Sequence, residues 1–202
     1  MVIHQRDWLA NPSAALEAVA GLGGLPLFVK PARAGSSVGV SKVKDMSEFK
    51  AAAKLAFEND NKLVVEKGLV GREVECAVIS GRGNDEPRVS VAGEIVVTGR
   101  DFYDFEAKYQ DEDSVDLIIP AKLTEAELAE MQTIARRAFK SLGCEGLARV
   151  DFFLTADGFF VNEINTMPGF TPLSMFPSLW QASGIEYADL IDELIYLALN
   201  KS

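Results

Sequence analysis

The stretch Arg149-Val-Asp-Phe-Phe-Leu-Thr-Ala-Asp-Gly-Phe-Phe-Val-Asn-Glu-Ile-Asn165 decides how this chain is read. Its arms, Gly146 to Leu154 and Phe159 to Asn165, carry aromatic and β-branched residues, and Thr155-Ala-Asp-Gly158 between them is turn chemistry, so a β-hairpin is expected. Side chains alternate faces along a strand, so Arg149 and Asp151 share one face of their strand, and Glu163 and Asn165 share one of theirs. If the loop is the three residues Ala156 to Gly158, position 151 lies opposite 163 and 149 opposite 165, which brings all four together. Two carboxylates and an amide oxygen suit a hard cation such as magnesium, which completes its shell with waters and phosphate oxygens. The same residues also fit a solvent-facing polar side with an Arg–Glu cross-strand pair, and spacing leaves both readings open.

Working outward, Thr124 with Glu127 is a capping-box pattern that opens a helix with Leu128, Met131, Ala135, Ala138 and Leu142 on one stripe before Gly143. After the hairpin comes a Pro/Gly-punctuated segment to Pro177, then a helix from about Tyr187 to Leu199 in which Leu190, Leu194 and Leu197 recur. Ahead of it, Gly99 to Asp116 is polar, acidic and aromatic without periodicity, as lids and binding loops are. The first half reads as a short helix from Asn11-Pro12 to Gly21, strands at Leu27 to Lys30 and Val38 to Val43, and a helix opened by Asp45 and Glu48 with Phe49, Ala53 and Phe57 on one face. Strands at Leu63 to Glu66, Glu73 to Ile79 and Val89 to Thr98 follow. Helices and hairpins are mixed, so the class is α+β.

The 202 residues carry 30 acidic against 20 basic side chains, a net charge of -10, and 48% are hydrophobic. That is enough apolar material for a sizeable core. The acidic balance excludes an extended phosphate backbone and an anionic membrane as partners. No apolar run reaches the roughly 18 residues of a membrane span, and Asp7 and Glu17 sit where a secretory signal is apolar, so a cytoplasmic location is expected. Cys76 and Cys144 are too few for a disulfide framework, and a lone His4 excludes His-based zinc sites and Ser-His or Cys-His catalysis. Any metal here needs oxygen ligands.

Between Lys30 and Lys42 stand Lys30, Arg33 and Lys42 with no acid, and Gly35-Ser-Ser-Val-Gly39 lets the backbone approach a ligand closely. Such a loop holds phosphate, or is an ordinary basic hairpin turn; it lacks the Gly-Lys-Ser/Thr of a P-loop, and Gly21-Leu-Gly-Gly24 lacks the third glycine of a dinucleotide fingerprint. Glu66-Lys-Gly-Leu69 with Glu73 offers backbone groups and an acid to a base and a ribose, or is a solvated strand end.

Taken in order, Val29-Lys-Pro-Ala-Arg-Ala-Gly-Ser-Ser-Val-Gly39, Val65-Glu-Lys67 followed by Gly71-Arg-Glu73, Phe102-Tyr-Asp-Phe-Glu-Ala-Lys-Tyr109, Arg149-Val-Asp151 and Asn162-Glu-Ile-Asn-Thr-Met-Pro-Gly169 resemble the ATP-grasp ligases, and more narrowly the D-alanine-D-alanine ligase family. The resemblance implies an ATP-grasp fold: two α+β subdomains, residues 1–72 and 73–202, with mainly antiparallel sheets enclosing the nucleotide, a lid at about 99–116 and a metal hairpin at 146–165. It implies ligation of two D-alanines through an acyl phosphate, giving the dipeptide used in peptidoglycan.

By that resemblance Lys30 and Lys108 neutralise phosphate charge, and Asp151, Glu163 and Asn165 hold magnesium or manganese, two ions in all. Glu66, Lys67 and Leu69 line the adenine edge, Glu73 takes the ribose hydroxyls and Phe102 covers the base. Arg149 and the Gly169 N–H stabilise the oxyanion of the tetrahedral intermediate, while Ser174 and Met175 position the second substrate's carboxylate. Ser36 and Tyr109 are linked across the closed lid, and a lid tyrosine goes with D-alanine, rather than D-serine or D-lactate, as second substrate. The implied partners are ATP and D-alanine, with no nucleic acid and no membrane, and homodimerisation belongs to the full-length protein. Gly68 departs from the aromatic that relatives often carry, and the family's N-terminal domain has no counterpart, so the chain is expected to be the ATP-binding portion of a larger ligase, inactive alone or a binding module for Mg-ATP.

Overall fold

The computed structural model describes residues 1–35, 37–97 and 115–200. They form two compact units, Met1–Leu69 and residues 70–97 with 115–200. Both are α+β, each built on an antiparallel sheet.

The first unit contains β1 (Val2–His4), α1 (Gln5–Ala10), α2 (Pro12–Ala20), β2 (Leu27–Pro31), β3 (Ser41–Val43), α3 (Phe49–Asn59) and β4 (Lys62–Lys67), with sheet order β1-β4-β2-β3. Leu27, Val29 and Pro31 of β2 point to the buried face, and Phe28 and Lys30 to the other. Phe49, Ala52, Ala53 and Ala56 of α3 recur at helical spacing and close on Val29, Leu63 and Val65. Three alanines on that stripe let the helix axis approach the sheet, and each fully buried large apolar side chain contributes about 1.5–3 kcal/mol. Both caps read in the sequence are made: the Asn11 side chain accepts from the Ala14 N–H, and Asp45 and Glu48 form the reciprocal box, which opens a 3-10 turn ahead of α3. The strand expected at Val38 to Val43 is only Ser41–Val43, because the loop first turns through Ser37 and Gly39 at positive φ, with Val38 N–H on Gly35 O and Val40 N–H on Ser37 O. A Cβ at Gly39 would meet Asn59 and Pro31 at 2.8 Å, so that turn requires glycine.

The second unit contains β5 (Arg72–Ile79), β6 (Arg88–Val97), β7 (Val115–Ile118), α4 (Glu125–Ser141), β8 (Leu147–Thr155), β9 (Gly158–Asn165), α5 (Met175–Ala182) and α6 (Tyr187–Leu199), with sheet order β7-β6-β5-β8-β9. Central β5 is covered on both faces: Val74, Cys76 and Val78 lie in the cluster with Met131, Ala135 and Phe139 of α4, and Ala77 and Ile79 lie with α5 and α6. Phe139 takes the place expected of Ala138 on the α4 stripe, and Leu142, 68% exposed, has left it, because the helix ends at Ser141. Val115 and Asp116, expected in the lid loop, are strand residues paired with Val97 and Val96. α5 was not expected at all. Pro177 occupies its first turn, where a missing N–H removes no intrahelical bond.

The hairpin β8–β9 brings 151 opposite 163 and 149 opposite 165, but not through a three-residue loop. Thr155 pairs with Gly158 across the two residues Ala156 and Asp157, and the register then shifts by one at Asn162, the extra residue of a β-bulge. Without that bulge Glu163 would point at α4 and Ile164 at the polar face, since a one-residue slip inverts every side chain.

Candidate functional site

On the α5 side of the second sheet, Glu75, Asp151 and Glu163 stand in one cross-strand row of β5, β8 and β9, and Arg149 and Asn165 stand in the next. The row continues to Gly93 on β6, where Met175 of α5 lies so close that a Cβ would meet its sulfur at 2.7 Å. Three carboxylates therefore flank one guanidinium at the edge of the helix-covered area.

Arg149 grips Asp151 with a fork, Nε donating to Oδ1 and Nη2 to Oδ2, each at 2.7 Å. The same Nε lies 2.8 Å from Oε2 of Glu75. Burial of the guanidinium pulls its pKa down, but the hydrogen bonds to Asp151 and the fields of Asp151, Glu75 and Glu163 outweigh that and raise it above the usual arginine value. Arg149 thus stays charged throughout the working range. The sequence reading missed Glu75, which is 2% exposed. Its one local signal is alternation with Glu73, which puts two acids on one face of a strand otherwise apolar from Val74 to Ile79.

The donor set fits a hard divalent cation in kind: Asp151 and Glu163 are directly opposite, Asn165 shares their face, and all three offer oxygen. Among the described residues no three His, Cys, Asp or Glu side chains converge closely enough to hold a metal by themselves. The Asn165 Oδ1 accepts from the Met167 N–H at 3.1 Å, which fixes that amide at the start of the loop leaving β9. Gly169 follows in that loop, exposed, with Ser174 Oγ 3.1 Å from where a Cβ would be. Ser174 is the N-cap residue of α5, and its Oγ accepts from the Thr171 N–H at 3.0 Å. Met175 is 6% exposed with its side chain in the core, so its backbone N–H, a first-turn donor of α5, is the group it can offer a ligand.

In the first unit Lys30 Nζ lies 2.7 Å from Glu66 Oε2, diagonally across β2 and β4 on the face away from α3. Lys67 ends β4, beside Gly23, and Leu69 is the last residue of the unit. Glu73 lies on β5 in the second unit, opposite Phe153 and Ile95. The basic turn is not three cations without an acid: Arg33 donates to Asp60 through Nε at 3.1 Å and Nη2 at 2.5 Å, and to Asn61 Oδ1 at 2.9 Å. The Arg33 hydrogen bonds hold the Asp60 carboxyl down at about 2. Arg33 therefore ties the turn to the α3–β4 connection, and the sheet face carries Lys30 and Lys42. Ser36, Phe102, Lys108 and Tyr109 lie outside the described residues.

A separate cavity of about 330 Å³ in the second unit is lined by Ser80, Glu86, Cys144 and Tyr196 among others, and by none of the residues above. Burial pushes the Cys144 thiol up, so it is not a reactive thiolate at neutral pH. No helix among the described residues is long and apolar enough to cross a membrane.

Residues 1–196 match the family described as "D-ala D-ala ligase C-terminus". The chain is 54% identical over 204 residues to a D-alanine--D-alanine ligase of Arthrobacter sp. (strain FB24), covering 100% of this chain and 53% of that protein. It is 55% identical over 201 residues to the enzyme of the same name from Kocuria rhizophila, covering 99% and 52%. The fold is similar to the VanG D-Ala:D-Ser ligase from Enterococcus faecalis (TM-score 0.83, 37% identity, 97% of this chain and 55% of that one). It is equally similar to the D-alanine-D-alanine ligase from Coxiella burnetii (TM-score 0.82, 37% identity, 99% and 51%). The chain spans about half the length of the curated relatives it matches.

Proposed function

The chain belongs to the D-ala D-ala ligase C-terminus family, and from that membership we propose that it is the ATP-binding portion of an enzyme that joins two D-alanines at the expense of ATP for peptidoglycan, in the cytoplasm. The observation that carries the reading is the paired rows of the β8–β9 hairpin, two carboxylates and an amide oxygen beside a half-buried arginine. In this reading the first D-alanine's carboxylate attacks the γ-phosphorus of ATP, ADP leaves, and the resulting acyl phosphate is attacked by the amine of the second D-alanine, with phosphate and a proton released.

Each residue acts within reach of its own chemistry. Lys30 and Lys108 offset phosphate charge; Glu66, Lys67 and Leu69 meet the adenine edge under Phe102, and Glu73 accepts from the ribose hydroxyls. Asp151, Glu163 and Asn165 would hold magnesium, or manganese, in two positions, and the metal supplies neutralisation of the polyphosphate when bound. Arg149, kept charged by its acidic neighbours, and the Gly169 N–H stabilise the oxyanion as the amine adds. Ser174 and the Met175 N–H receive the second substrate's carboxylate, in the first turn of a helix whose dipole favours an anion. Ser36 and Tyr109 close over the reacting amine.

The test is incubation of the full-length protein that contains this portion with ATP, magnesium and D-alanine. ADP, phosphate and D-alanyl-D-alanine appear in equal amounts if the reading holds, and nucleotide binding without any of them leaves a binding module. Replacing half the D-alanine by D-serine examines the activity named for the VanG neighbour; a dominant mixed dipeptide would reassign the second substrate.

A further inference from the structure

Glu75 is the charged residue of this site with no role in the ligation so far, and its position is unusual. It is 2% exposed, in the middle of central β5, opposite Asp151 in the ladder. A buried carboxylate is tolerated when a cation offsets its desolvation, and Arg149 lies 2.8 Å away. Arg149 is then held from two sides, by Glu75 and by the fork to Asp151. The two anchors are not equivalent. Asp151 has its face in common with Glu163 and Asn165, and in the fork both its oxygens face the guanidinium. A cation that binds Asp151 draws on the same two oxygens as that fork and weakens it by sharing their charge, although each oxygen keeps a second lone pair. Among the described residues Glu75, Asp151 and Glu163 do not all converge on one point, and the Glu75 carboxylate is engaged with Arg149.

We infer that Glu75 is a positioning residue for the ligation: it keeps the Arg149 guanidinium aimed while Asp151 gives its oxygens to the metal. This rests on the ligase reading above. It goes beyond that reading by dividing the acids of the hairpin and its neighbour between two duties, metal binding for Asp151 and arginine anchoring for Glu75. A longer consequence is that Glu75 eases metal entry, because Arg149 released from Asp151 still has a carboxylate.

Two arms test it. In turnover, Glu75→Gln lowers kcat for dipeptide formation about tenfold or more while the KM for ATP stays within about twofold, and Glu75→Asp, which keeps the charge on a stem one carbon shorter, recovers part of the loss. In binding, Mn2+ alone is titrated and followed by the EPR signal of the free ion. Glu75→Gln weakens Mn2+ binding about threefold or more, since Arg149 then falls back on Asp151, and the same substitution in an Arg149→Met background changes it less than about twofold. Equal losses in both backgrounds mean simple removal of a nearby charge and overturn the inference, as does a folded Glu75→Gln protein with undiminished kcat. If Glu75→Gln does not fold, Glu75→Asp carries both arms with smaller changes in the same directions. Turnover is read on the full-length protein that contains this portion; if the unsubstituted full-length protein makes no dipeptide, the ligase reading fails, and the Mn2+ arm still decides the role of Glu75.

Discussion

Two ion clusters in the second unit are built in opposite proportions. At the C-terminal helix one buried carboxylate, Glu193, meets two arginines, Arg82 and Arg88, and Arg82 also lies over the Tyr196 ring at 4.3 Å. At the hairpin one half-buried arginine meets Glu75 and Asp151 within ion-pair distance and feels Glu163 as well. The first cluster has cations to spare at the solvent side and closes the loop before β6 onto α6. The second is left with surplus negative charge around a buried carboxylate, Glu75, which another cation would offset. Under the proposed function the contrast separates an ion cluster that holds the fold from one whose missing positive charge a bound cation would supply.

The largest effect follows from removing the one cation of the hairpin. Arg149→Ala lowers turnover on the order of a hundredfold or more with a small change in ATP binding, because the guanidinium acts on charge that develops during amine addition. Steady-state kinetics with direct nucleotide titration check this, and a large loss of ATP affinity at unchanged kcat would make Arg149 a nucleotide contact instead. Next in size, Asp151→Asn raises the magnesium concentration needed for half-maximal activity about tenfold or more, since a neutral amide replaces a charged ligand. Equal magnesium dependence in both proteins would return Asp151 to the class of structural ion pairs, alongside Glu193.

Much of this contrast was legible in the sequence and part was not, for reasons that differ by residue. The period of two from Arg149 to Asn165 and the reciprocal caps at Asp45 and Thr124 are local signals, and the structure makes both boxes. The bulge at Asn162 leaves no such mark: the expected three-residue loop and the observed two-residue turn with a bulge give the same opposition of 151 with 163, so only the fold distinguishes them. Helix α5 is hidden because its first turn, with Pro177, ends a segment punctuated by Pro and Gly. Arg33 and Asp60 are 27 positions apart, and Glu75 is buried by α5, a helix 100 positions further along. Partners at that separation follow from the tertiary fold, not from spacing.

On the structural side of the comparison, Glu193→Gln removes a carboxylate that accepts from two arginines and lowers unfolding free energy by about 2 kcal/mol, the range for hydrogen bonds to charged groups. Catalytic constants per folded molecule stay as they were. Chemical denaturation gives the first quantity and active-site titration the second; a loss of turnover per folded molecule would erase the distinction between the two clusters.

The smallest effect is the acid limit of the first unit, where Asp60 plays the part that Glu193 plays in the second. Hydrogen bonds from Arg33 place the Asp60 carboxyl at about 2, below the ordinary aspartate value near 4. A depressed folded-state pKa means that the unfolded chain takes up the proton first, so the contribution is complete above about 4 and fades as pH falls toward 2. The Arg33 side chain is 66% exposed, so solvent screens the pair and the effect is modest. Glu193 is lowered in the same direction, first by the hydrogen bond from Arg82, with Arg88 adding to it, and against the upward pull of its burial. Asp60→Asn therefore flattens the stability curve between about pH 4 and 2, and Glu193→Gln flattens the acid limb in the same sense. Chemical denaturation across that range checks it, and an unchanged acid limb in Asp60→Asn would mean that solvent screening cancels the Arg33 clamp.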